Sequence, residues 1–337
     1  MSTSRRLQMA DIARLAGVST STVSRALNHS GLVNQETRER ILELASSLNY
    51  SINIGAQNLR LQQNRTVAAV VPLDKSTRQQ LSDPFLLSML GGLADVLSEQ
   101  GFDILVSRVD ADQVDAASAP FDSGRVVGVV LIGQGRHHDQ LNRMATRGVP
   151  VVVWGAQLPQ QLYTTVGGDN VAGGRMATEH LLAHGRRRIA FLGDTGLPEA
   201  ALRHQGYVEA LAAYGLAPDP QLQVAASFLP GSGTDAVHEL ARRGAAYDGV
   251  FACSDLMAMH AIHALRAEGR AVPADVGVVG YDDIELAAYF HPPLTTVRQP
   301  RDAAARALVA ALLARIDGQP VPSSLLPTEL VVRASAA

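Results

Sequence analysis

Residues 20–28 read Thr-Ser-Thr-Val-Ser-Arg-Ala-Leu-Asn, and most of their side chains are built to hydrogen-bond. Val23, Ala26 and Leu27 recur at helical spacing and turn one face inward. Thr20, Ser21, Ser24, Arg25 and Asn28 remain on the other face. A short helix that carries such groups at its N-terminal end fits the major groove of B-DNA, where base edges present donors and acceptors. Arg25 is the one forked donor. Its guanidinium either takes the O6 and N7 of a guanine in two bonds or clamps a phosphate, and only the first role reads sequence. Thr20 and Ser21 open the helix as promiscuous hydroxyl donors and acceptors. Ser19, Thr22, Ser24 and Asn28 read as clamps on the DNA backbone.

A second set of reactive groups lies far downstream. Asp282 ends the apolar run Val276–Asp282, Ser254-Asp255 ends Gly249–Ser254, and Asp169-Asn170 follows another strand. Open α/β sheets bind ligands at the carboxyl ends of their strands. The alternative is that these acids cap the helices that follow them, and for Asp169 and Asp255 capping is the stronger single expectation.

The elements that hold these groups follow from pattern. Ile12, Ala13, Leu15 and Ala16 give a first helix its apolar face, Gly17 supplies the positive φ of a tight turn, and Ser19 caps the next helix. A third helix runs from about Val33 to Tyr50. An ordinary helical hairpin is the alternative, but turn glycine, cap and polar outer face coincide here. Residues 51–65 are amide-rich and lack apolar periodicity, as a linker does. Beyond them, strand candidates (66–72, 103–109, 128–133, 150–155, 188–194, 224–228, 249–254, 276–282) alternate with helical stretches (85–100, 173–184, 200–214, 235–243, 256–268, 302–316). That alternation predicts parallel sheets covered on both faces, and the length predicts two of them.

Composition agrees with an α/β protein: 337 residues, 47% hydrophobic, 29 glycines. Residues 1–65 carry eight arginines against four acids, whereas the rest carries 21 basic and 28 acidic groups. A basic head on an acidic body puts the phosphate-binding surface at the N-terminal end. No apolar run reaches membrane length and no leader pattern is present, so neither a membrane span nor secretion is expected. With Cys253 the only cysteine, a reducing cytoplasm is the expected compartment.

The motifs Ile-Ala-Arg-Leu-Ala-Gly-Val-Ser (12–19), Thr-Val-Ser-Arg-Ala-Leu-Asn (22–28), Thr-Arg-Glu-Arg-Ile (37–41) and Leu-Asn-Tyr (48–50) closely resemble the lactose/galactose repressor (LacI/GalR) family. The resemblance implies a helix-turn-helix headpiece over 1–50 and a hinge over 51–65. It implies an effector-binding and dimerisation body over 66–337, a two-lobed periplasmic-binding-protein-like (type I) fold with doubly wound parallel sheets. By that likeness lobe 1 takes about 66–165 and 297–325, and lobe 2 takes 166–296 and 326–337. In the family a hinge helix enters the minor groove and wedges a leucine between base pairs, which unstacks a step and bends the duplex. Leu59 occupies that place and Asn53 can cap the helix. This chain has Ile52 where the family usually has proline, and Gly55 costs the helix about 1 kcal/mol against alanine.

The resemblance also assigns the effector site. Arg203-His-Gln-Gly-Tyr matches the family's Arg-x-x-Gly-aromatic motif, whose arginine points into the cleft. Ser82-Asp83-Pro84-Phe85-Leu86 stands where the family has Asn-Pro-Phe-Phe, with Phe85 lining the pocket. Phe85, Asp169, Arg203, Ser254 and Asp282 are therefore the expected effector contacts. An arginine and a carboxylate across a cleft grip vicinal hydroxyls, which suits a sugar. Trp154 either stacks on the ligand or fills the core. Lys75 and Arg78, in the loop before Ser82, are left open as contacts. The expected partners are double-stranded operator DNA, a small effector and a second copy of the chain. The chain's end, Leu330–Ala337, is too short for the apolar heptad tail of tetrameric relatives.

Enzyme readings have little to stand on. Gly133-Gln-Gly135 is a fragment of a dinucleotide loop, and neither a P-loop nor a Gly-x-Ser-x-Gly elbow occurs. His260 and His263 share a helix face without a third ligand at metal spacing, so no metal and no cofactor is expected. The rival readings are a purine- or other metabolite-responsive regulator of the same family and a solute-binding protein.

Overall fold

The computed structural model describes residues 9–27, 32–48, 64–73 and 81–336. The chain divides into two units, Met1–Asn64 and Arg65–Ala337.

The first unit holds α1 (Met9–Ala16), α2 (Thr20–Leu27) and α3 (Gln35–Ser47). Gly17 takes φ +65° at the end of α1, and the Val18 N–H closes back on the Ala13 carbonyl at 3.0 Å. Only glycine enters that left-handed region without a steric cost. Ser19 Oγ accepts the Thr22 N–H at 3.1 Å, and Asn34 Oδ1 accepts the Thr37 N–H at 2.8 Å, so α2 and α3 each start on a side-chain cap. The third helix thus begins two residues later than expected, after the buried Val33. Ile12, Val23, Ala26 and Ile41 form the core, with Met9 and Leu27 packed partly against it. Leu15, expected on the inner face of α1, is 53% exposed. It stands a turn-fraction outside the Ile12–Ala13–Ala16 stripe. Arg40 Nη2 donates to the Ala16 carbonyl at 3.1 Å and ties α3 to the end of α1.

The second unit runs β1 (Thr66–Leu73), α4 (Pro84–Glu99), β2 (Asp103–Asp110), α5 (Ala119–Asp122), β3 (Gly128–Ile132), α6 (His138–Thr146), β4 (Val151–Trp154) and β5 (Thr164–Gly168). It continues with α7 (Asn170–Ala183), β6 (Ile189–Leu192), α8 (Pro198–Ala213), β7 (Gln223–Val224), α9 (Ser232–Arg242), β8 (Gly249–Ala252), α10 (Asp255–Ala267) and β9 (Gly277–Asp282). It ends with α11 (Glu285–Tyr289), β10 (Thr295–Arg298), α12 (Arg301–Ile316), β11 (Ser324–Leu326) and β12 (Glu329–Val331).

Two six-stranded sheets result, in the orders β11-β5-β4-β3-β1-β2 and β12-β10-β9-β8-β6-β7. Every pair is parallel except β10 with β12, where Thr296 faces Val331 in antiparallel register. Each sheet is the centre of a lobe, and the chain crosses between lobes after β5, after β10 and after β11. Each crossing falls one to three residues beyond the expected boundary, because β5, β10 and β11 complete their own sheets first. Along β1, Val67, Ala69 and Val71 face α4 and α12, and Ala68 and Val70 face the opposite core with Leu141 and Met144. Period-two alternation with both faces apolar is what a covered parallel sheet requires.

A pair of glycines sets the crossing that matters most for the cleft. A Cβ on Gly206 would stand 2.1 Å from the Val171 carbonyl oxygen, and one on Gly174 would stand 2.1 Å from the Arg203 carbonyl oxygen. Helices α7 and α8 therefore meet backbone to backbone, and Arg203 lands beside Asn170. No helix among the described residues is long and apolar enough to cross a membrane.

Candidate functional site

In the first unit the outer face of α2 presents Thr20, Ser21 and Arg25 exposed, with Thr22 and Ser24 half-exposed. Ser19 is committed as a cap, and its hydroxyl also pairs with those of Ser21 at 2.7 Å and Thr22 at 2.8 Å. Arg25 makes no ion pair or hydrogen bond with the described residues. Its long donor fork stands on the surface opposite Val23 and Ala26. Asn28, Ile52, Asn53, Gly55 and Leu59 lie outside the described residues, as do Lys75 and Arg78.

In the second unit a cavity of about 250 Å³ opens between the two sheets. The first lobe lines it with the end of β1, the start of α4, the loop after β3 and Trp154. The second lobe contributes the loop after β6, the first turns of α8, and Ser254 and Asp282 at strand ends. The carboxyl ends of both parallel sheets thus converge on one space, as ligand sites of open α/β sheets do.

Arg203 is buried there on its own helix. Nε donates to Asn170 Oδ1 at 2.8 Å, and Nη1 donates to the Cys253 carbonyl at 2.5 Å. The guanidinium lies 3.7 Å above the centre of the Tyr281 ring, a desolvated cation–π contact. Nη2 has no partner among the described residues and is left for the cavity. Across from it Asp282 accepts Gln299 Nε2 at 2.7 Å. Burial pushes the Asp282 carboxyl up to about 7, with Arg203 and Gln299 opposing the rise. Asp282 and Asp283 take φ of +114° and +52°, which costs on the order of 1–3 kcal/mol each. Gln299 holds the first, while Arg298 and Arg333 hold Asp283 at 2.7 Å each.

The other expected contacts divide. Phe85 and Trp154 line the cavity with ring centres 6.5 Å apart. Trp154 also packs into the first lobe's core, with one side left to line the cavity. Ser254 lines the cavity and caps α10 through the Met257 N–H at 3.3 Å. Asp169 does not line it. Its Oδ1 accepts the Ala172 N–H at 2.9 Å and caps α7, so the expected effector contact is here a helix cap. Asp255 is buried outside the cavity, accepting the Ile284 N–H at 2.8 Å and the Thr296 hydroxyl.

Several lining groups escaped the sequence reading: Gln134, Arg136, Asp194, Glu199 and Gln299. Asp194 had a signal, since it follows β6 as Asp282 ends β9. Gln134 lay inside the Gly133-Gln-Gly135 fragment, whose glycines take φ of +95° and +64°. Asp83, at the start of α4, accepts the Phe85 and Leu86 N–H groups at 2.9 and 3.1 Å, and burial raises its carboxyl.

Burial pushes the Cys253 thiol up to about 12, so it is no thiolate nucleophile at neutral pH. Among the described residues no cluster of three His, Cys, Asp or Glu side chains could hold a metal. His260 Nδ1 accepts the Gly231 N–H at 3.1 Å, a structural use.

A three-helix DNA-reading unit in one chain with a two-lobed, cleft-bearing unit defines the class of ligand-responsive DNA-binding regulators. Residues 8–53 match the model of the bacterial regulatory proteins, lacI family. Residues 178–336 match that of the periplasmic binding protein-like domain. The chain is 37% identical to the HTH-type transcriptional regulator CelR of Thermobifida fusca over 98% of each chain. It is 31% identical to the HTH-type transcriptional repressor CytR of Escherichia coli strain K12, over 97% of this chain and 95% of that one. Among solved structures, a CelR–cellobiose complex is 34% identical, with a TM-score of 0.72 over 98% of this chain and 100% of that one. A lac repressor dimer bound to operator and the anti-inducer ONPF is 26% identical, with a TM-score of 0.87 over 98% and 99%. The chain belongs to the lacI family of bacterial transcriptional regulators.

Proposed function

We propose that this regulator is a repressor of carbohydrate-utilisation genes whose operator affinity is set by a small sugar or glycoside held between the lobes. The observation that carries the reading is the buried Arg203–Asp282 wall. One free donor nitrogen and the Asp282 carboxyl face a small cavity that Phe85, Trp154 and Phe228 also line, beside the polar Gln134, Arg136, Asp194, Glu199 and Gln299. Vicinal hydroxyls satisfy such a donor and acceptor together, and apolar ring faces suit the C–H faces of a sugar. The relative solved with cellobiose supports the sugar class.

The division of labour follows. Residues 1–50 read the operator through Arg25 and its neighbours, 51–65 form the hinge with Leu59 as wedge and Asn53 as cap, and 66–337 bind effector and dimerise. The protein acts in the cytoplasm, without catalysis, as a homodimer on two half-sites. The dimer on operator among its structural relatives supports that assembly. Effector acts by binding one lobe arrangement more tightly than the other and so shifting the operator-competent population.

The deciding experiment is calorimetric titration of the full chain with a panel of mono- and disaccharides, purines and nucleosides, followed by operator gel shifts with each binder. Saturable binding of a sugar that alters the shift is expected. Binding of a purine or nucleoside alone would replace the sugar reading with the metabolite one.

A further inference from the structure

The cleft is bridged at its mouth by groups that belong to neither the Arg203–Asp282 wall nor the aromatic wall. Arg136, in the first lobe's loop after β3, forms an ion pair with Asp194, in the second lobe's loop after β6. Asp194 is held for that pairing by the Gly196 N–H, which it accepts at 2.9 Å. Gly196 itself leaves the room, since a Cβ there would meet Arg136 Nη1. Two residues earlier in the same first-lobe loop, Gln134 lines the cavity together with Glu199 of α8, whose carboxyl burial raises. The Gln134 side chain anchors the loop from behind, since its Oε1 accepts the Ala156 N–H at 2.9 Å and its Nε2 donates to the Tyr163 hydroxyl. Phe85 packs against the apolar cores of both lobes. The loop 133–136 is therefore anchored from its own side through Gln134 and paired from the other through Asp194.

We infer that this loop is a latch: the Arg136–Asp194 pair sets how much of the effector-free protein has its cleft closed. Effector binding to a closed form then has an apparent affinity proportional to that closed fraction. The residues act on the effector through closure rather than by contact. The inference rests on the reading that effector binds in this cavity, but the latch itself operates without ligand.

The test therefore begins without ligand. Hydrogen exchange of the 133–136 segment is followed in the full-length protein, for wild type, Arg136→Gln, Asp194→Asn and the double variant. Asp194→Asn keeps an oxygen for the Gly196 N–H while removing the charge. A half-exposed ion pair contributes little, so exchange should speed by roughly two- to five-fold in each single variant. The double variant should match the singles, because one interaction is lost once. Arg136→Lys should restore most of the protection. Effector titration should then show a weakening no larger than the same factor. Unchanged ligand-free exchange in both single variants would overturn the latch. So would effector losses that add in the double variant, which would make Arg136 and Asp194 separate ligand contacts. A panel in which no compound binds would defeat the effector reading and leave the exchange result to decide the latch.

Discussion

Arg203 and Asp282 share the cavity, both buried, yet no ion pair closes between them. Arg203 is spent on Asn170 and the Cys253 carbonyl, and Asp282 on Gln299. Each side chain is held by neutral partners, so neither needs the other to stay folded in place. A ligand that bridges them gains a donor and an acceptor that were already oriented, which is the economy of preorganised binding.

Replacing either group should therefore disable the response to effector without disabling the operator contact. Arg203→Ala or Asp282→Asn is expected to weaken effector binding by about 1.5–3 kcal/mol per charged hydrogen bond lost. Gel shifts with and without effector check this. Loss of operator binding in the absence of effector would instead assign these residues to holding the body together.

Asp282 also gives a pH signature. Its carboxyl titrates near 7 because burial raises it, with Arg203, Gln299 and Arg301 opposing and Asp83 adding to the rise. An ionised carboxylate is the stronger acceptor for ligand hydroxyls, so effector affinity should climb as pH passes upward through about 7. Stability runs the other way. The folded state holds this proton above the usual carboxylate range, so its contribution is full below about pH 4. It fades as pH rises through about 7. Urea melts of wild type and Asp282→Asn from pH 5 to 8 should converge or cross in the variant's favour as pH rises. Parallel curves would show that another group titrates.

On the DNA side, Arg25→Ala should lower specific operator affinity by about 1–3 kcal/mol and leave non-specific affinity nearly intact. Fluorescence anisotropy on operator and scrambled duplexes separates the two. An equal loss on both would make Arg25 a phosphate clamp.

How much of this was legible in the chain depends on where the information sits. The helix-turn-helix is local, so Gly17, the Ser19 cap and the Val23–Ala26 stripe could be read from adjacent residues. Leu15 misled because a helix this short leaves the edge of its apolar stripe in solvent. In the body, bulky runs such as Val129–Ile132 announced their strands. Thr164–Gly168 did not, since its residues pair by backbone in a buried position with hardly any apolar side chain. Helix α6 was missed because only Gln140, Leu141 and Met144 of its nine residues turn inward. The cleft was half-legible. Arg203 and Asp282 follow from motif and strand-end position, but Gln134, Arg136 and Glu199 meet only because two sheets built from interleaved segments face each other. Asp169 shows the limit of the strand-end rule, which marks a place for ligands and for helix caps alike.

The last prediction concerns the support beneath Arg203. Gly206 lies one turn further along α8, and a Cβ there would stand 2.1 Å from the Val171 carbonyl oxygen and 2.6 Å from the Arg175 nitrogen. Both are backbone atoms of α7 and cannot swing aside as a side-chain tip would. Gly206→Ala should therefore force the helices apart, against the small gain in helix propensity that alanine brings in an open position. Overpacking of this kind costs about 1–3 kcal/mol or more. Denaturant unfolding of the full chain should show that loss, together with weaker effector binding as the Arg203–Asn170 bond is stretched. A variant as stable as wild type with unchanged effector affinity would mean that α7 and α8 can part without moving the cleft.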